Sequence, residues 1–134
     1  MDHHEYQAFD PSLNAMTSAQ HLVQVFSSSK AFADSDKWEI VGEWNATMTD
    51  CSPWLNGRHN GHRYDGFFPR IWFAGSCARK GNITTWTKQM KDETREYIEA
   101  QMDSYASRDM YVLIAAGVFP QPLSARALPV KVCP

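Results

Sequence analysis

The sequence predicts an α/β chain, from three observations. Two strand-like segments, His3–Phe9 and Lys37–Trp44, are separated by a segment with helical spacing. A second and longer helical segment, Trp86–Tyr105, follows a loop rich in glycine, proline and aromatic residues. The length, 134 residues, is that of one domain. It is too short to close an eight-stranded α/β barrel, which takes ~250 residues.

His3 to Phe9 (HHEYQAF) alternates polar and aromatic residues and is bounded by Asp10-Pro11, so it predicts a short strand ending in a turn. Thr17 or Ser18 can cap a helix with Leu22, Val25 and Phe26 on one face, and Ser27-Ser28-Ser29 is expected to end it. Lys37 to Trp44 (KWEIVGEW) is the best strand, with Trp38, Ile40 and Val41 at its heart.

From Asn45 to Asn82 the chain changes character. Pro53, Pro69 and five glycines interleave with Trp54, Tyr64, Phe67, Phe68, Trp72 and Phe73. So long an irregular stretch is either functional or disordered, and its aromatic content argues for an ordered surface loop. Most of its rings are expected to pack the loop onto the scaffold. In the helix that follows, Met90, Thr94, Tyr97, Ile98, Gln101, Met102 and Tyr105 mark one face. Lys88 with Asp92 and Arg95 with Glu99 are spaced to pair on the wet face, and Thr85 or Thr87 supplies the cap. Met110–Ala116 is a short apolar run, helix or strand, closed by Gly117. The tail, with Pro120, Pro122, Pro129 and Pro134, is expected to be extended and irregular.

Composition narrows the function. Lys plus Arg is 13 and Asp plus Glu is 15, a net charge of -2. That balance gives no electrostatic case for nucleic acid or an anionic membrane surface. No apolar run approaches the ~20 residues of a membrane span. The first ten residues, MDHHEYQAFD, hold no signal peptide. There are three cysteines, Cys51, Cys77 and Cys133, with no C-x-x-C pair and no zinc-ligand pattern, so no metal is predicted. They are either buried thiols or one disulfide with an orphan. Two sequons, Asn45-Ala46-Thr47 and Asn82-Ile83-Thr84, favour a secretory context. A secretory context without a signal peptide suggests that the N-terminal part of a longer protein is absent.

Glu43 is the most informative residue. It sits at the end of an apolar strand between Gly42 and Trp44. A carboxylate there must be solvated, paired or functional, because an isolated buried charge is costly. Gly42 would allow close approach and Trp44 would supply a flat apolar wall, the parts of a site where a carboxylate attacks an anomeric carbon. The plainer alternative is a strand-end Glu facing solvent or an arginine. His4 and Tyr6, two apart, share a face and can position a carboxylate or a polar ligand. His3 and His4 face opposite sides and are poor joint metal ligands. His59 and His62 lack Cys or acidic partners at ligand spacing and read as loop surface. The loop aromatics suit sugar faces better than nucleobases, since the chain has no basic excess.

The run WEIVGEWNATMTDCSPWLNGRHNGHRYDG resembles the fungal exo-β-1,3-glucanases (glucan 1,3-β-glucosidases) of glycoside hydrolase family 5. DHHEYQAF before it, and GSC, YIEAQMDSY and GVFPQP after it, are similar in the same order. The resemblance implies that residues 1–134 are the C-terminal portion of a (β/α)8 TIM-barrel catalytic domain. Strands six and seven, the long loop and the long helix would be kept. Strand eight is expected to be deleted, because Ser104–Arg108 runs straight into Asp109-Met110 where the family has a Trp-rich strand. By the same resemblance, Glu43 in VGEW would be the nucleophile of a retaining enzyme that releases glucose from non-reducing ends of β-1,3-glucan. His4 and Tyr6 would shape its hydrogen bonding and the glucose subsite. Phe9 would clamp glucan at the mouth of the site, and Asn56 and Arg63 would contact sugar. Cys51 and Cys77 would form a disulfide. Cys133 would then need a partner: the family usually has a cysteine near the position of Phe26, and here it is Phe.

A retaining glycosidase also needs an acid/base carboxyl ~5–5.5 Å from the nucleophile. The family carries it in an Asn-Glu-Pro motif that this chain lacks. The chain alone is therefore expected to be inactive. The alternatives are a non-catalytic glucan-binding module and a gene-model remnant with no function of its own. The resemblance implies no cofactor, a monomer binding β-1,3-glucan or laminari-oligosaccharides, and an extracellular or cell-wall location for the intact protein. The balance of hydrolysis against transglycosylation is left open.

Overall fold

The computed structural model describes residues 1–34 and 36–112. Three strands, β1 (Asp2–Glu5), β2 (Ile40–Trp44) and β3 (Tyr111–Val112), form one parallel sheet in the order β1-β2-β3. Parallel neighbours need a crossover. α2 (Ser18–Ala33) lies between β1 and β2, and α3 (Lys88–Ala106) between β2 and β3. The α/β class therefore stands.

The first strand is shorter than predicted. It ends at Glu5, and Gln7–Phe9 turns into a 3-10 helix rather than extending the strand. A single helical turn, α1 (Pro11–Asn14), follows, with Asp10 accepting from the Ser12 and Leu13 amides and Pro11 at its first position. Thr17 caps α2 through a capping box with Gln20. Thr87, rather than Thr85, caps α3.

The serine run does not end α2, which continues to Ala33. The reason is tertiary. Ser29 is fully buried, and its hydroxyl shares a 2.5 Å hydrogen bond with the hydroxyl of Ser104 on α3. Near the other end of the pair, Ser18 donates to Glu93 at 2.9 Å. Both links span 75 residues, so the two helices run parallel and in register between them. Two small serines in contact let the helix backbones approach closely.

The apolar core holds Val41, Trp44, Tyr105 and Met110, with Phe32 and Ile98 packed against it. Two expectations fail here. Trp38 is 82% and Ile40 36% exposed, so Val41 alone of the predicted strand core is buried. On α3, Tyr97, Gln101 and Tyr105 are buried as predicted, but Met102 is half exposed and Ser104 takes the buried place. The wet-face pairs form: Lys88 with Asp92, and Arg95 with Glu99 at 3.8 Å.

Where the family's Trp-rich strand is expected to be missing, a two-residue strand, β3, follows α3 and pairs in parallel with β2, Ile40 beside Tyr111 and Val41 beside Val112. Its two described residues place the chain back in the sheet. The rest of the predicted apolar run, the proline-rich tail and Cys133 lie outside the described residues. No helix among the described residues is long and apolar enough to cross a membrane.

His21 is buried, 1% exposed, with its Nδ1 2.6 Å from Gln7 Oε1 and its ring edge-on to Tyr97. Burial pushes its pKa down to about 4. The native state thus refuses a proton that the unfolded chain accepts near pH ~6.5. That stability is present above pH ~6.5, falls as the pH drops and is lost by pH ~4, on the order of 3 kcal/mol. Glu5 opposes it. Desolvation raises the Glu5 pKa, against a hydrogen bond from Ser28 and the nearby His3, so acid favours its native form. In urea melts across this window, His21→Asn is expected to flatten the acid loss; an unchanged slope would refute the assignment to His21.

Candidate active site

The parallel ladder places the carboxylate. His3 lies beside Val41, but His4 lies beside Glu43, because the register shifts between His3 and His4 and Gly42 becomes the extra residue on β2. Neighbours in register point to one face of a sheet, so the shift brings His4 alongside Glu43. Without it, His4 would stand beside Gly42. A side chain at Gly42 would also collide with the Asp2 carboxylate. The close approach that glycine permits is thus taken by Asp2 from β1.

Three predicted residues converge here. The Tyr6 hydroxyl donates to Glu43 Oε2 at 2.5 Å, and His4 Nδ1 lies 3.4 Å from the same oxygen. The far nitrogen of His4, Nε2, lies 3.5 Å from Asp2 Oδ2, so the ring sits between two carboxylates. The hydrogen bond to Glu43 pushes the Tyr6 phenol up to about 12, keeping it protonated as a donor. The Glu43 side chain is 46% exposed, reachable from solvent. Among the described residues, Oε1 carries no hydrogen bond and is the free acceptor.

Trp44 does not supply the expected flat wall. It is 6% exposed and belongs to the core beneath the sheet. Alternation explains this, since a residue next to Glu43 points to the opposite face. The aromatic neighbour is instead Phe9, edge-on to Tyr6 at 5.7 Å and 39% exposed. The Arg63 guanidinium lies 5.8 Å from the Phe9 ring and 4.2 Å from that of Phe68, so a cation joins the loop rings to the Glu43 face.

Asn56 and Arg63 were predicted as sugar contacts, and the structure shows what holds them. The Asp50 carboxylate, fully buried, accepts Asn56 Nδ2 at 2.6 Å and the amides of Arg63 and Tyr64 at 2.6 and 3.0 Å. Arg63 Nη1 bonds Asn56 Oδ1 and lies 3.6 Å from Asp50 Oδ2. Asn14 completes the tie, bonding the Ala8 carbonyl and the Asp50 amide. The segment after β1 is thereby clamped to the loop after β2.

No helix or strand is assigned from 45 to 82, so the predicted ordered loop stands, but its means of ordering differ from those expected. Trp54, Phe67, Trp72 and Phe73 are exposed rather than packed on the scaffold. The loop is held instead by Asp50 and by the Cys51–Cys77 disulfide. Gly61 and Gly66 take left-handed backbone, φ 70° and 76°, against Phe67 and Phe73, where a Cβ would crowd.

Sequence reasoning missed Asp50, Asp2 and Glu39. Glu39 is buried against His3, whose ring stacks on Phe32. Glu39 meets His3 across 36 residues and Asp50 meets the Arg63 and Tyr64 amides across 13 and 14, so neither has a local signal; Asp2 is two residues from His4 but meets Gly42 only when the sheet forms. His62 is not plain loop surface and does have an acidic partner. It is half-buried and 3.1 Å from Asp65. His62, Asp65 and Cys77 bring their donor atoms within 4.8 Å of one another. Cys77 is spent in the disulfide and offers no thiolate, so this trio is not a metal site. A separate cavity of about 340 Å³, lined by His21, Met48, Tyr64, Trp86 and Met90 among others, contains none of His4, Tyr6 and Glu43.

The chain matches no family model. It is similar to curated fungal proteins. The glucan 1,3-beta-glucosidase of Kluyveromyces lactis is 38% identical over 96% of this chain and 35% of its own length. That of Yarrowia lipolytica is 43% identical over 78% of this chain and 25% of its length. That of Lachancea kluyveri is 32% identical over 96% and 34%. The chain spans about a third of the length of the relatives that cover it most fully.

Proposed function

Since this chain is homologous, over nearly its whole length, to one segment of the glucan 1,3-β-glucosidases, we propose that it is the nucleophile-bearing part of such a catalytic domain. The parallel β-α-β arrangement agrees with a portion of a (β/α)8 barrel, whose active site lies at the strand C-termini. The observation that carries the reading is the convergence of Tyr6 and His4 on one oxygen of Glu43.

Tyr6 and His4 both engage Oε2, which leaves Oε1 to attack. In a retaining mechanism Oε1 forms an ester bond with the anomeric carbon as the glycosidic bond breaks. The leaving oxygen takes a proton from a second carboxyl ~5–5.5 Å away. Water then cleaves the ester with that group as base. This chain carries the first carboxyl without the motif for the second, so it is proposed to lack hydrolytic activity by itself. Phe9, Asn56 and Arg63 form the sugar-facing rim, and the substrate is β-1,3-glucan. Secretion to the cell exterior or wall belongs to the same reading, supported by the Cys51–Cys77 disulfide, since such bonds persist in oxidising compartments. The exposed rings of Trp54, Phe67, Trp72 and Phe73 favour a second reading, a glucan-binding module without catalysis.

A leaving group that needs no proton separates the two. With 2,4-dinitrophenyl 2-deoxy-2-fluoro-β-glucoside, the chain is expected to form a glycosyl ester on Glu43, seen by peptide mass spectrometry and absent in Glu43→Gln. Laminarin should yield no detectable glucose. An unlabelled Glu43, with laminari-oligosaccharide still raising the melting temperature, would instead establish the binding module.

A further inference from the structure

We propose that Asn82, and not Asn45, is the asparagine that this fold presents for N-linked glycosylation, with a lipid-linked oligosaccharide pyrophosphate as donor. The inference rests on the reading of the chain as secreted. It begins from two sequons that the functional site does not use. Their local geometry is alike: Asn45 Oδ1 accepts the Thr47 amide at 3.2 Å, and Asn82 Oδ1 accepts the Thr84 amide at 3.0 Å. Their tertiary settings separate them.

Asn82 caps a one-turn 3-10 helix, Ile83–Thr85, that buries none of its residues. Asn82 and Thr84 are exposed, and the Thr84 hydroxyl donates to Asn82 Oδ1 at 2.8 Å. The turn closes on itself, with the Thr85 amide and hydroxyl both bonding the Asn82 carbonyl. Nothing in this arrangement uses the Asn82 Nδ2, which has no hydrogen-bond partner among the described residues. A glycan on that nitrogen displaces no contact.

Asn45 is half-buried and directly follows the core residue Trp44. Its carbonyl accepts Gln101 Nε2 from α3 at 3.1 Å, and Gln101 is fully buried. Ala46 and Thr47 line the cavity beside His21 and Met48. An oligosaccharide here would emerge two residues from Glu43, against the seam between β2 and α3. Glycans are bulky and belong on free surface.

In the transfer, Asn82 Nδ2 bonds the anomeric carbon of the first sugar and loses one proton. The bond from that carbon to the donor's phosphate oxygen breaks, and the lipid pyrophosphate departs with the electron pair. The test routes the full chain through the yeast secretory pathway behind a cleavable leader, so that native secretion is not what is measured. Soluble monomer is collected from medium and secretory compartments together, treated with peptide N-glycosidase F and mapped by mass spectrometry. Asn82 should be occupied and Asn45 unmodified. The glycosidase-sensitive gel shift should vanish in both Asn82→Gln and Thr84→Ala and persist in Thr47→Ala. Occupancy of Asn45 in soluble monomer, or an empty Asn82, overturns the proposal.

Discussion

Asp50→Ala is expected to cost about 3–5 kcal/mol, the scale for removing one partner from a buried charged network. The carboxylate is fully buried and is the shared acceptor for Asn56, Arg63 and Tyr64. Removing it strands three donors, each costing about 1–3 kcal/mol when left unsatisfied. It also leaves the Arg63 guanidinium, 3.6 Å away, without its carboxylate. Whole domains are stable by only about 5–15 kcal/mol, so the loss is a large share of the total. Asp50→Asn should recover little, because its amide turns N–H groups toward donors. The urea midpoint should fall in both variants. Trypsin should cut faster after Arg58 and Arg70, exposed residues of the same loop. A midpoint and cleavage rate matching the unsubstituted chain would refute the role given to Asp50.

Reduction of Cys51–Cys77 is the second large effect. The bridge joins residues 26 apart. Chain-entropy arithmetic gives about 3.5 kcal/mol for a loop of that size. Cys51 is almost fully buried, and a Cβ on Gly81 would come 2.5 Å from its carbonyl oxygen, so the two ends of the loop meet closely. Cys51→Ala combined with Cys77→Ala should lower the urea midpoint by a similar amount, and dithiothreitol should then have no further effect. Because Asp50 adjoins Cys51, the two devices order the same loop. Their losses should not add, and a double-mutant cycle would read that coupling. Strict additivity would show that the disulfide and the carboxylate stabilise separate regions.

These effects show where the sequence was legible. Periodicity and capping act within about four residues, so the two long helices and their threonine caps could be read from the chain. Lys37–Trp44 reads as a strand for the same reason, although only its last five residues, Ile40–Trp44, form β2, and Glu43 stood out as a carboxylate in an apolar run. His4 and Tyr6 were picked by their spacing of two, which placed them on one face. The errors arose where a partner is distant. Ser29 reads locally as a helix stop, but 75 residues later Ser104 makes it a packing contact. Trp44 reads as a wall for a ligand, but Tyr105 and Met110 claim it for the core. The loop reads as one packed by its rings, but a buried carboxylate and a disulfide hold it.

The sequence by itself determined the alternation of strand and helix, the caps and the identity of the exposed carboxylate, because each depends on neighbours in the chain. Tertiary structure decided the register shift at Gly42 that sets His4 beside Glu43, the return of β3 to the sheet and the gathering of Asn56 and Arg63 around Asp50. Strand register and buried hydrogen bonds depend on segments that meet only when the sheet forms, and no local preference of the chain encodes that meeting.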